Sequence, residues 1–196
     1  MTAEAARRSG QHELEGPWLP PDSGGQLADS SVQHEVQTFL AIEAEAYDDR
    51  RYDDWLAMTE TGFSYRIPVP VVRDNPFDLT YDPSALLMDE TRESLADTWF
   101  ARFGPGVYDV AWGEHPPPRF RHFISNIRVR QTATDRLYLA RSNVSLIIVR
   151  HAHHQGQLTG ERFDLIRSGP DGWRLASRYA VLDQVTLAAP QLRVML

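Results

Sequence analysis

The sequence predicts an α+β domain in which a curved, mostly antiparallel sheet wraps around N-terminal helices. Two observations lead to this fold class. Apolar residues recur at helical spacing in the first half of the chain, whereas from about residue 121 onward they alternate with polar residues. The later strands are separated by short connections, which join antiparallel neighbours. Helices first and a run of strands afterwards are typical of α+β proteins.

Three helices are predicted in the first half of the chain. Each begins near a residue whose side chain can accept a backbone N–H: Ser30, Asp53 and Thr91. Ser30 and Gln33 have the spacing of a capping box, at the start of a helix over residues 31–48. The apolar residues that define the helices are Val32, Val36, Phe39, Leu40 and Tyr47 in the first, Trp55, Leu56 and Met58 in the second, and Leu95, Trp99 and Phe103 in the third.

Five strands are predicted around and after these helices. The first covers Phe63–Val69, and Pro68 and Pro70 are expected to confine it to a sheet edge because proline cannot donate to the ladder. Residues 73–88, rich in proline and aspartate, are predicted to form a long loop. The remaining strands are predicted at about residues 121–131, 137–151, 158–168 and 172–187.

The chain of 196 residues is predicted to form one domain over residues 30–196, preceded by a flexible arm over residues 1–29. A domain of this length buries roughly 70% of the surface of its unfolded chain, enough for a substantial core. No apolar run approaches the ~20 residues that a membrane span requires. No basic segment precedes an apolar one near residue 1, so we expect a cytoplasmic protein without membrane contact.

The amino-acid composition excludes several classes of chemistry. The sequence contains no cysteine, which excludes disulfides, thiolate catalysis and iron–sulfur clusters with cysteine ligands. It contains no lysine either, because all 20 basic residues are arginine. Schiff-base chemistry and a P-loop lysine are therefore excluded as well.

Two polar clusters are candidates for metal binding or catalysis. One contains His151, His153 and His154; the other contains Asp48, Asp49, Asp53 and Asp54. The histidines have no carboxylate at helical spacing to complete a metal site, which favours a solvated loop. The aspartates lack the glycine and glutamate of a calcium-binding EF-hand loop, which favours a structural role. We predict no catalytic, cofactor-binding or metal-binding residue in this chain.

Charge is divided unequally along the chain. Residues 1–118 carry 8 arginines against 22 acidic residues, whereas residues 119–196 carry 12 arginines against 5. Either the two halves complement each other within one fold, or a basic sheet face meets an acidic partner. Strand alternation places arginines, together with Asp164 beside Arg162, on the face opposite to apolar residues such as Phe163. On that outer face the arginines are either solvated or, because arginine is enriched at interfaces, part of a protein interface. Nucleic-acid binding is disfavoured because no aromatic residues interleave with the arginines. The candidate interface residues are Arg128, Arg130, Arg141, Arg174 and Arg178.

A set of motifs occurs in a characteristic order along the chain. The motifs are Asp48-Asp49-Arg50-Arg51-Tyr52-Asp53-Asp54-Trp55-Leu56, Ser125-Asn126-Ile127-Arg128-Val129, Arg141-Ser142-Asn143, Asp171-Gly172-Trp173-Arg174-Leu175 and Leu182-Asp183-Gln184. Together they resemble the small (beta) subunits of aromatic-ring-hydroxylating dioxygenases. The resemblance extends from about residue 33 to residue 196 and depends on the order of the motifs, since none of them is specific alone.

The resemblance implies a cystatin-like α+β cone and a small, mainly structural subunit in a hexamer of three large and three small subunits. In that family the large subunit carries a Rieske [2Fe–2S] cluster and a mononuclear non-haem iron. The complex adds O₂ to an aromatic ring to give a cis-dihydrodiol. Electrons come from NAD(P)H through a reductase and often a ferredoxin.

Two alternative functions remain open at this point. The first is a free-standing dehydratase or isomerase on the same cone, with His122, Asp183 and Tyr179 in acid–base roles. The second is an assembly module without a dioxygenase partner. The absence of an evident acid–base pair in the sequence favours the dioxygenase subunit over the free-standing enzyme.

Overall fold

The computed structural model describes residues 20–21, 25–104, 106–110, 115–150, 153–186 and 195–196, with the backbone alone for residues 153–155. The helices are α1 (Ser30–Asp48), α2 (Tyr52–Ala57) and α3 (Arg92–Ser94), the last of which continues as a π-helix (Leu95–Phe100) and a 3₁₀ turn (Ala101–Phe103), with a further 3₁₀ turn at Tyr108–Val110. The strands are β1 (Thr59–Pro70), β2 (Tyr81–Thr91), β3 (Arg119–Gln131), β4 (Leu137–Arg150), β5 (His153–Gly169) and β6 (Gly172–Leu182).

Within the described part of the chain, six strands form one sheet in the order β2-β1-β6-β5-β4-β3. Neighbouring strands are antiparallel except β1 and β6, which run parallel. Strands β3 to β6 form the predicted meander, and the main apolar core lies between this curved sheet and the helices. The predicted α+β class is therefore confirmed, and we call the space enclosed by sheet and helices the cone interior.

Helix α1 lies where the apolar spacing predicts it, and its apolar face is buried, but the predicted capping box does not form. The helix begins at Ser30 with Asp29 at the N-cap and no side-chain cap. Gln33 instead crosses to β3, where its Nε2 donates to the carbonyl of Val129 at 3.2 Å and its Oε1 accepts from the Val129 N–H at 3.1 Å. The capping box would have required the side chain of Gln33, which instead forms its hydrogen bonds with strand β3.

Helix α2 begins at Tyr52, so Asp53 lies in its first turn and not at its cap as predicted. A carboxylate in the first turn still stabilises the helix, because the N-terminal end carries partial positive charge.

The N-cap predicted for the third helix is confirmed. The hydroxyl of Thr91 accepts the N–H of Ser94 at 3.2 Å, and the Ser94 hydroxyl accepts the N–H of Thr91 at 2.9 Å. The following turns are a π-helix, which places residues five apart on one face. Leu95 and Phe100 are therefore the buried pair, while Trp99 is half-buried.

Two expectations for the first strands are wrong. Strand β1 is not at the sheet edge, and the loop predicted over residues 73–88 contains much of β2. Strand β6 pairs with β1 only at Thr59 and over residues 64–66, so Pro68 lies beyond that ladder. In β2, Pro83 falls in a register jump of the edge strand. Pro68 therefore does not have to donate to β6, and Pro83 lies where regular pairing is interrupted, which explains why both are tolerated.

The chain just before α1 runs along β3. The N–H of Ala28 donates to the carbonyl of Val129 at 2.9 Å, and the N–H of Gln131 donates to the carbonyl of Gln26 at 2.8 Å. Residues 1–19 and 22–24 lie outside the described residues. The flexibility of the N-terminal arm therefore stays a prediction.

A β-bulge in β3 decides which of its side chains enter the cone interior. Ser125 pairs with Asn143 and Arg128 with Arg141, so Asn126 and Ile127 of β3 together face one residue of β4. Asn126 has a left-handed backbone conformation, with φ at 52°. Asparagine tolerates this conformation better than most residues. The bulge reverses the alternation, so that His122 before it and Val129 after it are both buried.

A second bulge has the same effect on β6. Leu165 and Ile166 of β5 pair with Ser177 and Leu175, which leaves one extra residue on β6. Leu175 and Arg178 are both buried although their numbers differ in parity. The second bulge thus brings a charged side chain into the cone interior.

Candidate functional site

Four charged side chains meet in the cone interior, and we call them the buried charge cluster: Glu43 of α1, Arg162 and Asp164 of β5, and Arg178 of β6. Each is at most 3% exposed. Arg178 donates from Nε to Asp164 at 2.7 Å and from Nη1 to Glu43 at 2.9 Å. Arg162 donates from Nη2 to Asp164 at 2.6 Å and lies 3.5 Å from Glu43. The cluster is neutral overall, which is the condition under which charges are tolerated inside a protein.

The arginines keep Glu43 ionised. Burial alone raises the pKa of Glu43, but the charges of Arg178 and Arg162, with hydrogen bonds from Arg178 and Trp55, outweigh it and lower the pKa to about 2. For Arg178, burial lowers the pKa, and the charges of Asp164 and Glu43 more than reverse that effect. Both groups therefore stay charged at neutral pH.

The predicted strand faces are wrong for β5 and for the end of β6. Alternation assigned Arg162, Asp164 and Arg178 to the outer face, and Phe163 to the core side. In the structure Phe163 packs on the outer face, in a second apolar cluster with Tyr81, Leu139 and Tyr179. The physical reason is that α1 supplies Glu43 as a partner, so the charged side of β5 can be buried. One feature of the sequence could have indicated this burial: Glu43 lies on the apolar face of α1, at helical spacing from Phe39, Leu40 and Tyr47.

A second buried pair joins α1 to β3. His122 Nδ1 lies 2.6 Å from the carboxylate of Asp48, which also accepts the His122 backbone N–H at 3.1 Å. The other ring nitrogen, Nε2, lies 2.8 Å from the carbonyl oxygen of Met195. Both partners are acceptors, so the ring satisfies both when each nitrogen carries a proton. Asp183, exposed at the end of β6, and Tyr179, on the outer face, do not join His122.

Two of the predicted interface residues form what we call the outer arginine pair: Arg128 and Arg141. They are directly opposite each other on β3 and β4. Arg141 makes a two-point contact with Glu161, including Nη2 to Oε2 at 2.9 Å, and its guanidinium lies 5.3 Å from the centre of the Phe163 ring. Arg128 approaches Glu161 only to 4.0 Å, and its side chain is 49% exposed. One carboxylate therefore serves two arginines.

The other three predicted interface residues have different surroundings. Arg130 donates to the carbonyl of Gly25 at 2.7 Å, which ties the segment before α1 to β3. Arg174 donates to the carbonyl of Ala57 at the end of α2. Arg178 belongs to the buried charge cluster and not to the outer face.

The aspartate cluster has a structural setting at the α1–α2 junction. Asp48 pairs with His122, whereas Arg51 bonds Asp54 at 3.1 Å and lies 4.0 Å from Asp49. Among the described residues, no three histidine, aspartate or glutamate side chains meet in a way that could hold a metal ion. The backbone of His153 and His154 belongs to strand β5, where they pair with Arg150 and Val149, and not to the predicted loop. The side chains of the histidine cluster lie outside the described residues. No helix in the described ranges is long and apolar enough to cross a membrane.

The fold defines the class of protein as a cystatin-like α+β cone. A protein with a cystatin-like fold from Nostoc punctiforme aligns with a TM-score of 0.53 and 14% identity, over 84% of this chain and 98% of that one. The beta subunit of benzoate 1,2-dioxygenase from Burkholderia mallei aligns with a TM-score of 0.55 and 22% identity, over 81% and 93%. Naphthalene 1,2-dioxygenase, with indole bound in its active site, aligns with a TM-score of 0.73 and 25% identity, over 86% and 88%.

The sequence match identifies the family within this class. Residues 42–189 match the profile of the family described as ring hydroxylating beta subunit, which is well over half of the chain. The chain therefore belongs to the ring hydroxylating beta subunit family. The resemblance predicted from the ordered motifs is confirmed, and every one of those motifs lies within the matched range.

Proposed function

We propose that this chain is the small, mainly structural subunit of a multicomponent dioxygenase that adds O₂ to an aromatic ring, giving a cis-dihydrodiol. The family match over residues 42–189 carries the proposal. A large subunit would hold the Rieske [2Fe–2S] cluster and the mononuclear non-haem iron, with electrons from NAD(P)H through a reductase and a ferredoxin. Three large and three small subunits would form a cytoplasmic complex. The absence of cysteine from this chain supports that division, because a Rieske cluster requires cysteine ligands.

The use of the cone interior supports a structural role. Large side chains from every layer are buried there, including Trp55, Leu40 and Leu146 at 0% exposure. The charged groups inside are engaged with one another in the buried charge cluster and in the pair of Asp48 and His122. Because these charged side chains are paired with one another, their role is to stabilise the fold.

The outer arginine pair is the surface that we propose for subunit contact. Like charges directly opposite each other on neighbouring strands repel, and among the described residues Arg128 and Arg141 share the single carboxylate of Glu161. A carboxylate from another subunit would relieve this excess of positive charge. Arginine and aromatic side chains are enriched at the centres of protein interfaces, and Arg141 lies over Phe163. The acidic first half of a neighbouring copy is one candidate source of that carboxylate.

The alternative function, a free-standing cone-fold dehydratase or isomerase, has one observation in its favour. Asp48 and His122 form a buried acid–base pair in the cone interior. The carbonyl of Met195, however, occupies the ring nitrogen of His122 that a substrate would need. Neither Asp183 nor Tyr179 lies with the pair, so the arrangement favours a supporting role for it.

Co-production with a Rieske-type large subunit tests the proposed function. We expect the two chains to copurify in equal amounts, with a mass by light scattering that corresponds to three of each. Dihydrodiol formation should require the large subunit, this chain and the electron-transfer components together. Dihydrodiol formation by this chain with a reductase alone would contradict the proposal. So would dehydratase activity of the isolated chain that disappears in His122→Asn.

The proposed interface has a matched test of its own. Arg128→Glu should prevent assembly while the isolated chain keeps its circular dichroism spectrum. Arg136→Glu makes the same charge change at a side chain that is 68% exposed, in the turn between β3 and β4, and should leave assembly intact. If both variants assemble like the parent chain, the outer arginine pair is solvated and the interface proposal is wrong.

A further inference from the structure

Two residues far along the sequence from the helices lie deep in the cone interior. Met195 and Leu196 are each 1% exposed and belong to the main apolar core. Their side chains are thus as fully buried as those on the buried face of α1. A dipeptide inside a core also brings in two backbone N–H groups and two carbonyl groups, each of which needs a partner.

Every one of these four backbone groups is bonded to a side chain, and each side chain comes from a different element. The Met195 N–H donates to the hydroxyl of Tyr47 on α1 at 3.3 Å, and the Leu196 N–H donates to the hydroxyl of Tyr65 on β1 at 3.0 Å. The Met195 carbonyl lies 2.8 Å from His122 Nε2 on β3. The Leu196 carbonyl accepts from Arg178 on β6 at 3.0 Å.

Two of the four side chains, His122 and Arg178, are held in place independently of the dipeptide. His122 is oriented by Asp48, and Arg178 is oriented by Asp164 and Glu43. Burial raises the pKa of Tyr65 to about 12 and raises the pKa of Tyr47 well above its ordinary value, so both hydroxyls stay neutral and able to accept an N–H. Preorganised partners lower the entropic cost of binding.

We propose that the cone interior is a binding site for an apolar dipeptide, which Tyr47, Tyr65, His122 and Arg178 recognise by its backbone and which Met195–Leu196 fills from within the chain. The site is distinct from the proposed subunit interface and does not depend on the proposed function. It also couples to the buried charge cluster through Arg178 and to the pair of Asp48 and His122, because emptying it removes a partner from both Arg178 and His122.

A chain that lacks Met195 and Leu196 tests the site by refilling it. We expect a lower melting temperature, which acetyl-Arg-Val-Met-Leu, the sequence of residues 193–196, should restore at saturating concentration. The same peptide with a methyl group on the leucine nitrogen keeps both apolar side chains but cannot donate to Tyr65. It should bind at least tenfold more weakly in calorimetry. Equal binding of the two peptides would mean that the backbone is not recognised.

Single hydroxyl deletions in the full chain give a second, independent test that does not require the shortened chain to fold. Tyr65→Phe should accelerate hydrogen exchange at the amide of Leu196 more than at that of Met195, and Tyr47→Phe should show the reverse. Tyr138→Phe, on β4 against Trp173, should change neither amide. General loosening of the core would accelerate both amides equally in both variants. That result, or fast exchange at both amides in the parent chain, would overturn the proposal.

Discussion

Arg178→Met is the most informative single change in this protein. Sequence alternation groups Arg178 with Arg128 on one face, whereas the structure buries the first and leaves the second half-exposed. Methionine keeps much of the side-chain length of arginine but carries no charge and no donor. In the variant, Asp164 keeps Arg162 at 2.6 Å, while Glu43 retains only a 3.5 Å approach to the same arginine. The buried charge cluster changes from neutral to one net negative charge.

The size of the effect follows from this uncompensated charge. Breaking a buried, hydrogen-bonded ion pair by removing one partner costs about 3–5 kcal/mol. In a domain of 150–250 residues, 1 kcal/mol corresponds to roughly 2–4 °C in melting temperature, so Arg178→Met should melt roughly 6–20 °C below the parent chain. Arg128→Met removes a half-exposed contact worth about 0–1 kcal/mol, and should melt within about 4 °C of the parent.

Urea unfolding of the purified chain, followed by tryptophan fluorescence, measures both variants directly. Trp55 is fully buried and donates to Glu43, so its emission reports on the neighbourhood of the buried charge cluster. The double variant of Arg178→Met with Glu43→Gln completes a thermodynamic cycle. Because the double variant restores neutrality, its cost should be smaller than the sum of the two single costs by at least about 1 kcal/mol.

Two results would refute this reasoning. Equal stability of Arg178→Met and Arg128→Met would mean that burial does not distinguish the two arginines. Strictly additive costs in the cycle would mean that Glu43 and Arg178 do not stabilise each other.

Three further predictions concern acid stability, strand packing and helix capping. Because the pKa of Glu43 is about 2 in the folded chain and 4.5 in the unfolded one, its contribution is complete above pH 4.5 and is lost as the pH falls towards 2. Acid titration of urea unfolding should show a loss of about 3 kcal/mol from this group, at 1.36 kcal/mol per pKa unit, which Glu43→Gln lacks. Gly160→Ala would place a Cβ 2.3 Å from the Val181 carbonyl oxygen and should cost about 1–3 kcal/mol by thermal melting, whereas Gly62→Ala meets open space and should be nearly neutral. Thr91→Ala should lower the free energy of unfolding by about 1 kcal/mol, because the helix loses its cap. Thr98→Ala, at an exposed π-helix position, should lower it by less than about 0.5 kcal/mol in the same assay. Equal losses in the two variants would show that the cap is not stabilising.

The features that sequence reasoning predicted correctly are local ones. Helix α1, the Thr91 cap and the strands β3 to β6 each depend on spacing within a short stretch of chain, where backbone geometry repeats every 3.6 or 2 residues. The family, too, could be recognised from short ordered motifs, since each motif corresponds to a local junction or strand. These properties are present in the sequence before any long-range contact forms.

The features that sequence reasoning missed depend on partners distant in the chain. Gln33 bonds Val129 and not its own helix end, and Pro68 sits in an inner strand because the neighbouring ladder stops before it. The buried charge cluster required Glu43 to meet residues more than 100 positions away. No periodicity within one element can predict such a meeting.

The sequence by itself therefore determined the α+β class, the family and the meander of strands β3 to β6, because these follow from local patterns and short connections. Only the tertiary structure decided which face of each strand lies inside. A bulge of one residue reverses every later side chain of a strand, as on β3 around Asn126 and on β6 before Arg178. A charged residue can face inward only where opposite charges from other elements compensate its lost hydration. That compensation is a property of the assembled cone, and it exists only after α1, β5 and β6 have come together.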